Sequence, residues 1–323
     1  MRVAILGCGQ ISPWHLESWQ KIPGCKVVCV VDIAKNRALA RQKEYNIDEI
    51  STDYNSVITR DDIDIIDVCL PTYLHRDAVI KAARAGKDVF CEKPMTRKLK
   101  DALEMYEVAK ECKVKLQLGF VRRFSNDWLK MMELVQSGIL GEKVIWRSCS
   151  ANHGAPTAWF FQRDLGAGPF LDGAIHNYDF GNLMFGQVKS IKSDLLVVGK
   201  KGDAFDTGAI AIEYETGHIL QMNWSWALPM NSYGGHLEDY FGSEGTLLYG
   251  CHGSFAYNKD QEGVITFIGK DGEKKFFTYK LNDMFYDEIK SFYDAVVEDK
   301  EPLVGGKEGI AALEVALKVL GEI

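Results

Sequence analysis

The sequence predicts a two-part α/β protein. A doubly wound parallel sheet is expected over residues 1–120, followed over 121–323 by an α+β domain with a large, mostly antiparallel open sheet. Three observations carry this reading. Runs that are apolar on both faces alternate with helical stretches through the first third, as in a parallel sheet covered by helices on each side. From about Arg123 this alternation gives way to strand-like segments joined by hairpin turns. The chain has 323 residues, more than the ~250 to 300 at which a single core stops growing.

Val3 to Leu6 is the first apolar run, ending in Gly7-Cys8-Gly9, and Lys26 to Val31 is the second, ending in Asp32. Ile63 to Leu70, Asp88 to Cys91 and Val114 to Leu118 follow. Helical stretches lie between them at Pro13 to Lys21, Ala34 to Tyr45, Arg76 to Ala85 and Leu99 to Cys112. Strict alternation implies right-handed crossovers and a doubly wound sheet. Beyond a helix at Asn126 to Ser137, strands are expected at Lys143 to Ser150, Ser190 to Val198, Gly208 to Tyr214, His218 to Trp226, Glu238 to Gly242, Thr246 to Gly250, Val264 to Ile268 and Lys274 to Tyr279. Turns such as Glu215-Thr216-Gly217 and Lys270-Asp271-Gly272 suit hairpins. Two helices, Asp283 to Glu298 and Lys307 to Leu320, end the chain and can pack back on the first domain.

Charge and cysteine usage exclude several classes of function. Lys and Arg number 38 against 45 Asp and Glu, a net charge of −7 with no long block of either sign. Nucleic-acid binding needs a clustered basic face, so no nucleic-acid partner is expected. No apolar run approaches the roughly 18 to 20 residues that span a bilayer, and no membrane partner is expected. The eight cysteines show no CxxC pair, and the first residues carry no export signal. Reduced, buried thiols in a cytoplasmic protein are the expectation.

Gly7-Cys8-Gly9-Gln10-Ile11-Ser12 follows a strand and opens a helix, and Asp32 ends the next strand. Glycines at the first two positions allow a tight turn and a close backbone approach to a pyrophosphate, whose charge meets the helix N-terminus. Ser12 stands where the fingerprint has Gly or Ala. Asp32 can accept from both hydroxyls of a ribose and would repel a 2′-phosphate, which favours NAD; NADP stays open because Lys35 and Arg37 are near. Gly7, Gly9, Gln10, Ile11, Asp32 and Arg37 are the cofactor candidates here. The start is that of a Rossmann domain.

Further along stand Leu70-Pro71-Thr72-Tyr73-Leu74-His75, Cys91-Glu92-Lys93-Pro94, Gly119-Phe120-Val121-Arg122-Arg123 and Gly168-Pro169-Phe170-Leu171-Asp172-Gly173-Ala174-Ile175-His176-Asn177-Tyr178-Asp179. In this order after a Rossmann start, they resemble the Gfo/Idh/MocA oxidoreductases. The resemblance runs from Met1 to the C-terminal helix. It implies catalytic roles for Lys93, as a cationic donor to the substrate oxygen, and for His176, as general acid/base, with Asp172 orienting His176 or touching the substrate. It also implies cofactor contacts from Leu70, Pro71, Thr72, His75, Glu92 and Lys93. His75 can equally cap a helix starting at Arg76.

If the segment is helical, spacings of four and three put Asp172, His176 and Asp179 on one face. That face could ligate a metal, but no further His or Cys cluster completes a set, so none is expected. Substrate contacts are expected from Lys93, Arg123, Asp172, His176 and Asp179, and from His153, Trp159 and His236, since aromatic faces with polar tips suit a sugar ring. The expected reaction is hydride transfer between NAD(P) and a secondary alcohol of a sugar or inositol-like polyol. Two alternatives stay open: transient oxidation with retained NAD, and a nucleotide-sensing regulatory protein. The resemblance further implies a homodimer or homotetramer.

Overall fold

In the computed structural model, residues 1–230, 232, 234–249 and 262–323 are described. The chain divides into two compact units, one of Met1–Val121 with Met284–Ile310, the other of Arg122–Asp283 with Ala311–Ile323.

The first unit is built on β1 (Arg2–Leu6), α1 (Ser12–Lys21), β2 (Lys26–Val31), α2 (Lys35–Tyr45), β3 (Glu49–Ser51), α3 (Tyr54–Ile58), β4 (Ile65–Val68), α4 (Thr72–Arg84), β5 (Asp88–Cys91), α5 (Leu99–Cys112) and β6 (Leu116–Leu118). All six strands are parallel, in the order β3-β2-β1-β4-β5-β6. Val3, Ala4, Ile5 and Leu6 are wholly buried, as a strand covered on both faces requires. The sequence reading placed five strands here. It missed β3, a three-residue edge strand, Glu49-Ile50-Ser51, with no apolar run to mark it. It also began α4 four residues late: Pro71, with φ −57° and ψ 141°, stands at the N-cap and the helix starts directly after it.

The second unit holds α6 (Asn126–Gln136), β7 (Val144–Ala151), α7 (Ile175–Phe185), β8 (Val188–Leu196), β9 (Thr207–Tyr214), β10 (Ile219–Ser225), β11 (Gly235–Gly242), β12 (Gly245–Tyr249), β13 (Glu262–Gly269) and β14 (Lys274–Lys280). Its sheet runs β14-β13-β12-β11-β7-β10-β9-β8. Every neighbouring pair is antiparallel except β7 and β10. Burial alternates along β10, where Leu220, Met222 and Trp224 are buried and Gln221 and Asn223 exposed. The buried face packs on α6 and α7 through aromatic edges, with Trp128 5.8 Å from Trp146 and 5.1 Å from Phe180.

Helix α8 (Met284–Val297) belongs to the first unit. Phe285 stacks on Trp14 of α1, and Phe292 sets its edge against Trp19 and Phe90. Helix α9 (Gly306–Val319) begins in the first unit and ends in the second. Cys8, Cys29, Cys69 and Cys91 are buried and Cys25, Cys112 and Cys149 half-buried, all as free thiols; Cys251 lies outside the described residues. Among the described residues, no helix is long and apolar enough to cross a membrane.

Candidate active site

Because the first sheet is parallel throughout, all its strands end at one edge. Asp32 follows β2, Gly7-Cys8-Gly9 follows β1, Leu70-Pro71 lies just beyond β4, and Glu92-Lys93 follows β5. The strand order turns back between β1 and β4, the switch point where α/β sheets open a crevice for ligands.

Gly7 has φ +103°, and a Cβ there would lie 2.4 Å from the Cys69 carbonyl oxygen, so only glycine lets the β1 turn pass so close to β4. A Cβ at Gly9 would meet nothing within 4 Å, which leaves open space over the loop. Helix α1 starts without a side-chain cap. Its first-turn N–H groups and the positive end of its dipole therefore suit a phosphate. The Ser12 hydroxyl donates to the Gly9 carbonyl (2.8 Å) and accepts from Arg41 Nε (3.2 Å), which accounts for serine where the fingerprint has Gly or Ala.

The Asp32 carboxylate accepts from the Cys8 N–H (3.0 Å) and the Ala34 N–H (2.8 Å). Arg37 is largely exposed, its guanidinium 3.9 Å from Asp32. Ile33, next to Asp32, is 91% exposed. Gln10 is exposed and Ile11 half-buried at the mouth of the loop. Burial pushes the Cys8 thiol up to about 12, with Asp32 adding to it, which disfavours the thiolate.

Two of the expected cofactor contacts turn inward. His75 is not a helix cap but lies inside the first turn of α4 with its ring buried. Its Nδ1 lies 2.9 Å from the Pro94 carbonyl and its Nε2 2.7 Å from the Leu70 carbonyl, so the ring stands between two edge loops. Burial holds its pKa below the ordinary histidine value. Glu92 is also buried: one carboxylate oxygen accepts from the Lys93 N–H (3.1 Å) and the other lies 3.0 Å from His15 Nε2. Thr72 is buried at the start of α4, Leu70 and Pro71 are half-buried, and Lys93 is half-buried beside a cis Lys93–Pro94 peptide.

In the second unit, α7 begins only at Ile175. Asp172 therefore lies in the turn before the helix, its N–H donating to the Gly168 carbonyl (3.1 Å), and the single helical face expected for all three residues is not formed. Asp172 and His176 are half-buried. Asp179 is buried and takes a two-pronged pair from Arg123, Nε to Oδ2 at 2.8 Å and Nη2 to Oδ1 at 2.6 Å. Arg123 and Asp179 thus pair with each other. Arg122 donates to Asn177 Oδ1 (2.9 Å) and lies over the Trp128 ring. His153 is exposed, and its carbonyl accepts from Lys201. Trp159 is half-buried and stacked on Phe160. His236 is partly exposed, its Nε2 3.2 Å from the buried Glu238. Tyr233, three residues before His236, lies outside the described residues.

Sequence reasoning passed over His15, Asp67, Ile33 and Glu238. Asp67 had a signal: a charged residue inside a run expected to be buried on both faces must have a partner, and His15, on the inward side of the first helix, is one.

Residues 1–120 match the family model for the oxidoreductase family with an NAD-binding Rossmann fold, and residues 128–255 match the GFO/IDH/MocA C-terminal domain. The chain is 28% identical to a myo-inositol 2-dehydrogenase of Thermotoga maritima, covering 97% of this chain and 93% of that protein. It is also 28% identical to a scyllo-inositol 2-dehydrogenase (NAD+) of Bacillus subtilis, over 98% and 92% of the two. Among solved structures, a 3-ketoreductase from Actinomadura kijaniata, in complex with NADP and TDP-benzene, superposes with a TM-score of 0.87 at 22% identity, covering 100% of this chain and 97% of that one. A glycine loop under an uncapped helix, an acid ending β2, a lysine ending β5 and both family matches lead to one conclusion: this chain is a member of the GFO/IDH/MocA oxidoreductase family, with an NAD-binding Rossmann domain at its N-terminus.

Proposed function

We propose that the protein is an NAD-dependent dehydrogenase that interconverts a secondary alcohol and a ketone on an inositol-like polyol or a sugar. The observation that carries this reading is the line of groups along one sheet edge, Asp32, Gly7 to Gly9, Leu70-Pro71 and Lys93. From β2 to β5 it spans three strand spacings, roughly 14 Å, enough for one extended dinucleotide. Asp32 receives the adenosine ribose and disfavours a 2′-phosphate, the exposed Ile33 offers an apolar face to the adenine, and the amides of the glycine loop and α1 hold the pyrophosphate. When bound, the nicotinamide accepts or returns the hydride.

The chain supplies charge and proton transfer. Lys93 donates to the substrate oxygen as negative charge develops there, and His176 takes the hydroxyl proton and returns it in reverse. Asp172, four residues earlier, orients His176. The half-buried Trp159 offers an apolar ring face to the substrate, and the partly exposed His153 and His236 offer polar tips. The substrate class rests on the likeness to the two inositol dehydrogenases. An assembly of two or four copies is part of this reading, supported by Leu248, Val264 and Phe276, which are exposed on neighbouring strands of the second sheet.

The test is turnover of NAD with a panel of inositols, hexoses and sugar acids, followed through NADH absorbance. Lys93→Ala and His176→Ala should each keep NADH binding while kcat falls at least about 100-fold. Normal turnover in both variants removes the assignment. NAD binding without turnover on any substrate points to a sensor, and tightly held cofactor without NADH release points to transient oxidation.

A further inference from the structure

Behind the carboxyl edge of the first sheet lies a buried chain of polar groups that the reaction as described does not use. His15, on α1, and Asp67, in the middle of β4, are both 0% exposed. His15 Nδ1 lies 2.8 and 3.1 Å from the two oxygens of Asp67, and Nε2 lies 3.0 Å from Glu92 Oε1. Trp19 Nε1 donates to Asp67 (2.7 Å), and the Cys69 thiol lies 3.3 Å from His15 Nδ1. Glu92 Oε2 accepts the Lys93 N–H, and a Cβ on Gly119 would come within 2.8 Å of Glu92 Oε1. Phe90 closes the ring from one side, edge-on at 5.4 Å.

The arrangement is a relay of fixed orientations. A carboxylate bonded at one oxygen can still turn about its last bond, whereas one bonded at both oxygens is held in a single orientation. Glu92 is held by His15 on one oxygen and by the Lys93 amide on the other, so the orientation of the ring is passed to the backbone that carries Lys93. Asp67 and Trp19 in turn fix the ring, as the partners of a buried histidine do in other sites. With a carboxylate at each ring nitrogen, the arrangement suits an imidazolium that donates on both sides. Nδ1 faces both oxygens of Asp67 at hydrogen-bond distance, and the Cys69 thiol lies 3.5 Å from Asp67 Oδ1, so the three groups form one hydrogen-bonded cluster.

We propose that His15 is a positioning residue for the reaction: through Glu92 it sets the backbone of the Glu92-Lys93-Pro94 turn and hence the place of Lys93. This rests on the reading of Lys93 as the donor to the substrate oxygen. The consequence is that the helix receiving the pyrophosphate and the turn presenting the lysine are joined by one side chain.

The test combines kinetics with amide hydrogen exchange. His15→Gln and Glu92→Gln are each made alone and with Lys93→Ala, and assayed with NAD and myo-inositol. Each single variant should lose about tenfold or more in kcat while NADH binding holds, and neither should lower the residual rate of Lys93→Ala further, because groups acting as one unit are non-additive. Exchange measured by mass spectrometry should rise in the peptide over residues 88–98 of His15→Gln and stay as in the parent over β1 and β2. If His15→Gln does not fold, Glu92→Gln carries both readouts. Full additivity with Lys93→Ala, or faster exchange spread evenly over the whole sheet, overturns the proposal and leaves His15 a core residue. Absence of turnover with myo-inositol in the unmodified protein counts against the substrate reading alone, and the exchange pattern then decides on His15.

Discussion

Each of the two sheets holds a buried carboxylate in mid-strand, Asp67 on β4 and Glu238 on β11, and the two are satisfied in different ways. Asp67 faces a histidine that also faces Glu92, with a tryptophan N–H and a thiol completing its surroundings. Glu238 is surrounded mostly by neutral donors: Trp146 Nε1 and the Ser148 hydroxyl (2.7 Å), with His236 reaching it from the partly exposed side. The first arrangement is a buried charge pair and the second a hydrogen-bond network around one charge. Breaking a buried pair leaves a charge with no compensation, whereas a network loses one bond at a time.

The largest effect should therefore come from Asp67→Asn. It keeps the shape of the side chain, but an amide accepts at one oxygen only while the His15 ring, the Trp19 N–H and the Cys69 thiol all face it, so more than one buried donor goes unmatched and the expected loss is roughly 3 to 5 kcal/mol. Urea unfolding of the variant beside the parent measures it, with tryptophan fluorescence reporting on Trp19. A loss under about 1 kcal/mol would mean that the cluster behaves as an ordinary neutral network.

The same contrast explains what was legible in the sequence. Parallel strands buried on both faces, such as Val3 to Leu6, declare themselves as continuous apolar runs, and the eight strands of the second sheet declare themselves by alternation and turn residues. Edge strand β3 had neither signal. At the candidate site, Gly7, Gly9, Asp32 and Lys93 were legible because their positions follow from strand ends. Arg123 and Asp179 are 56 positions apart, and the sequence does not show that they pair. His15, Asp67 and Glu92 come from three separate elements, and only the fold brings them together. Asp172, His176 and Asp179 were read on a single helix because spacing alone says nothing of where a helix starts; the Gly168-Pro169 turn delays it to Ile175.

Glu238→Gln should cost less, about 1 to 3 kcal/mol. The Ser148 hydroxyl donates to Glu238 and accepts from Asn177 Nδ2 (3.1 Å) and Trp224 Nε1 (3.1 Å), so its capacity is already full. A glutamine that turns its oxygen to Trp146 must aim its NH2 at that filled oxygen, and one that turns the other way faces the Trp146 N–H. Either way one donor goes unmatched. Urea unfolding with indole fluorescence reads the loss, and a variant as stable as the parent would mean that the network can reorganise around the amide.

The smallest effect is one of pH, and it separates the two sheets without altering the Asp67 or Glu238 carboxylates. Burial alone would lower the pKa of His15, but Asp67 and Cys69 beside the ring outweigh it and hold the pKa well above the ordinary value. Glu92 faces the other nitrogen and Cys91 stands near, while Phe90 and Phe285 are apolar. A group whose pKa is raised by folding stabilises fully below its unfolded value and loses that contribution as pH rises through the folded one. The urea midpoint of the parent should therefore fall on going from neutral to alkaline pH, and His15→Gln should fall less over the same interval. Because lysines, tyrosines and other thiols titrate in both proteins, the difference between the two curves is the quantity that isolates His15. Parallel curves would mean that His15 is neutral in the folded protein and that one of its two carboxylates carries the proton instead.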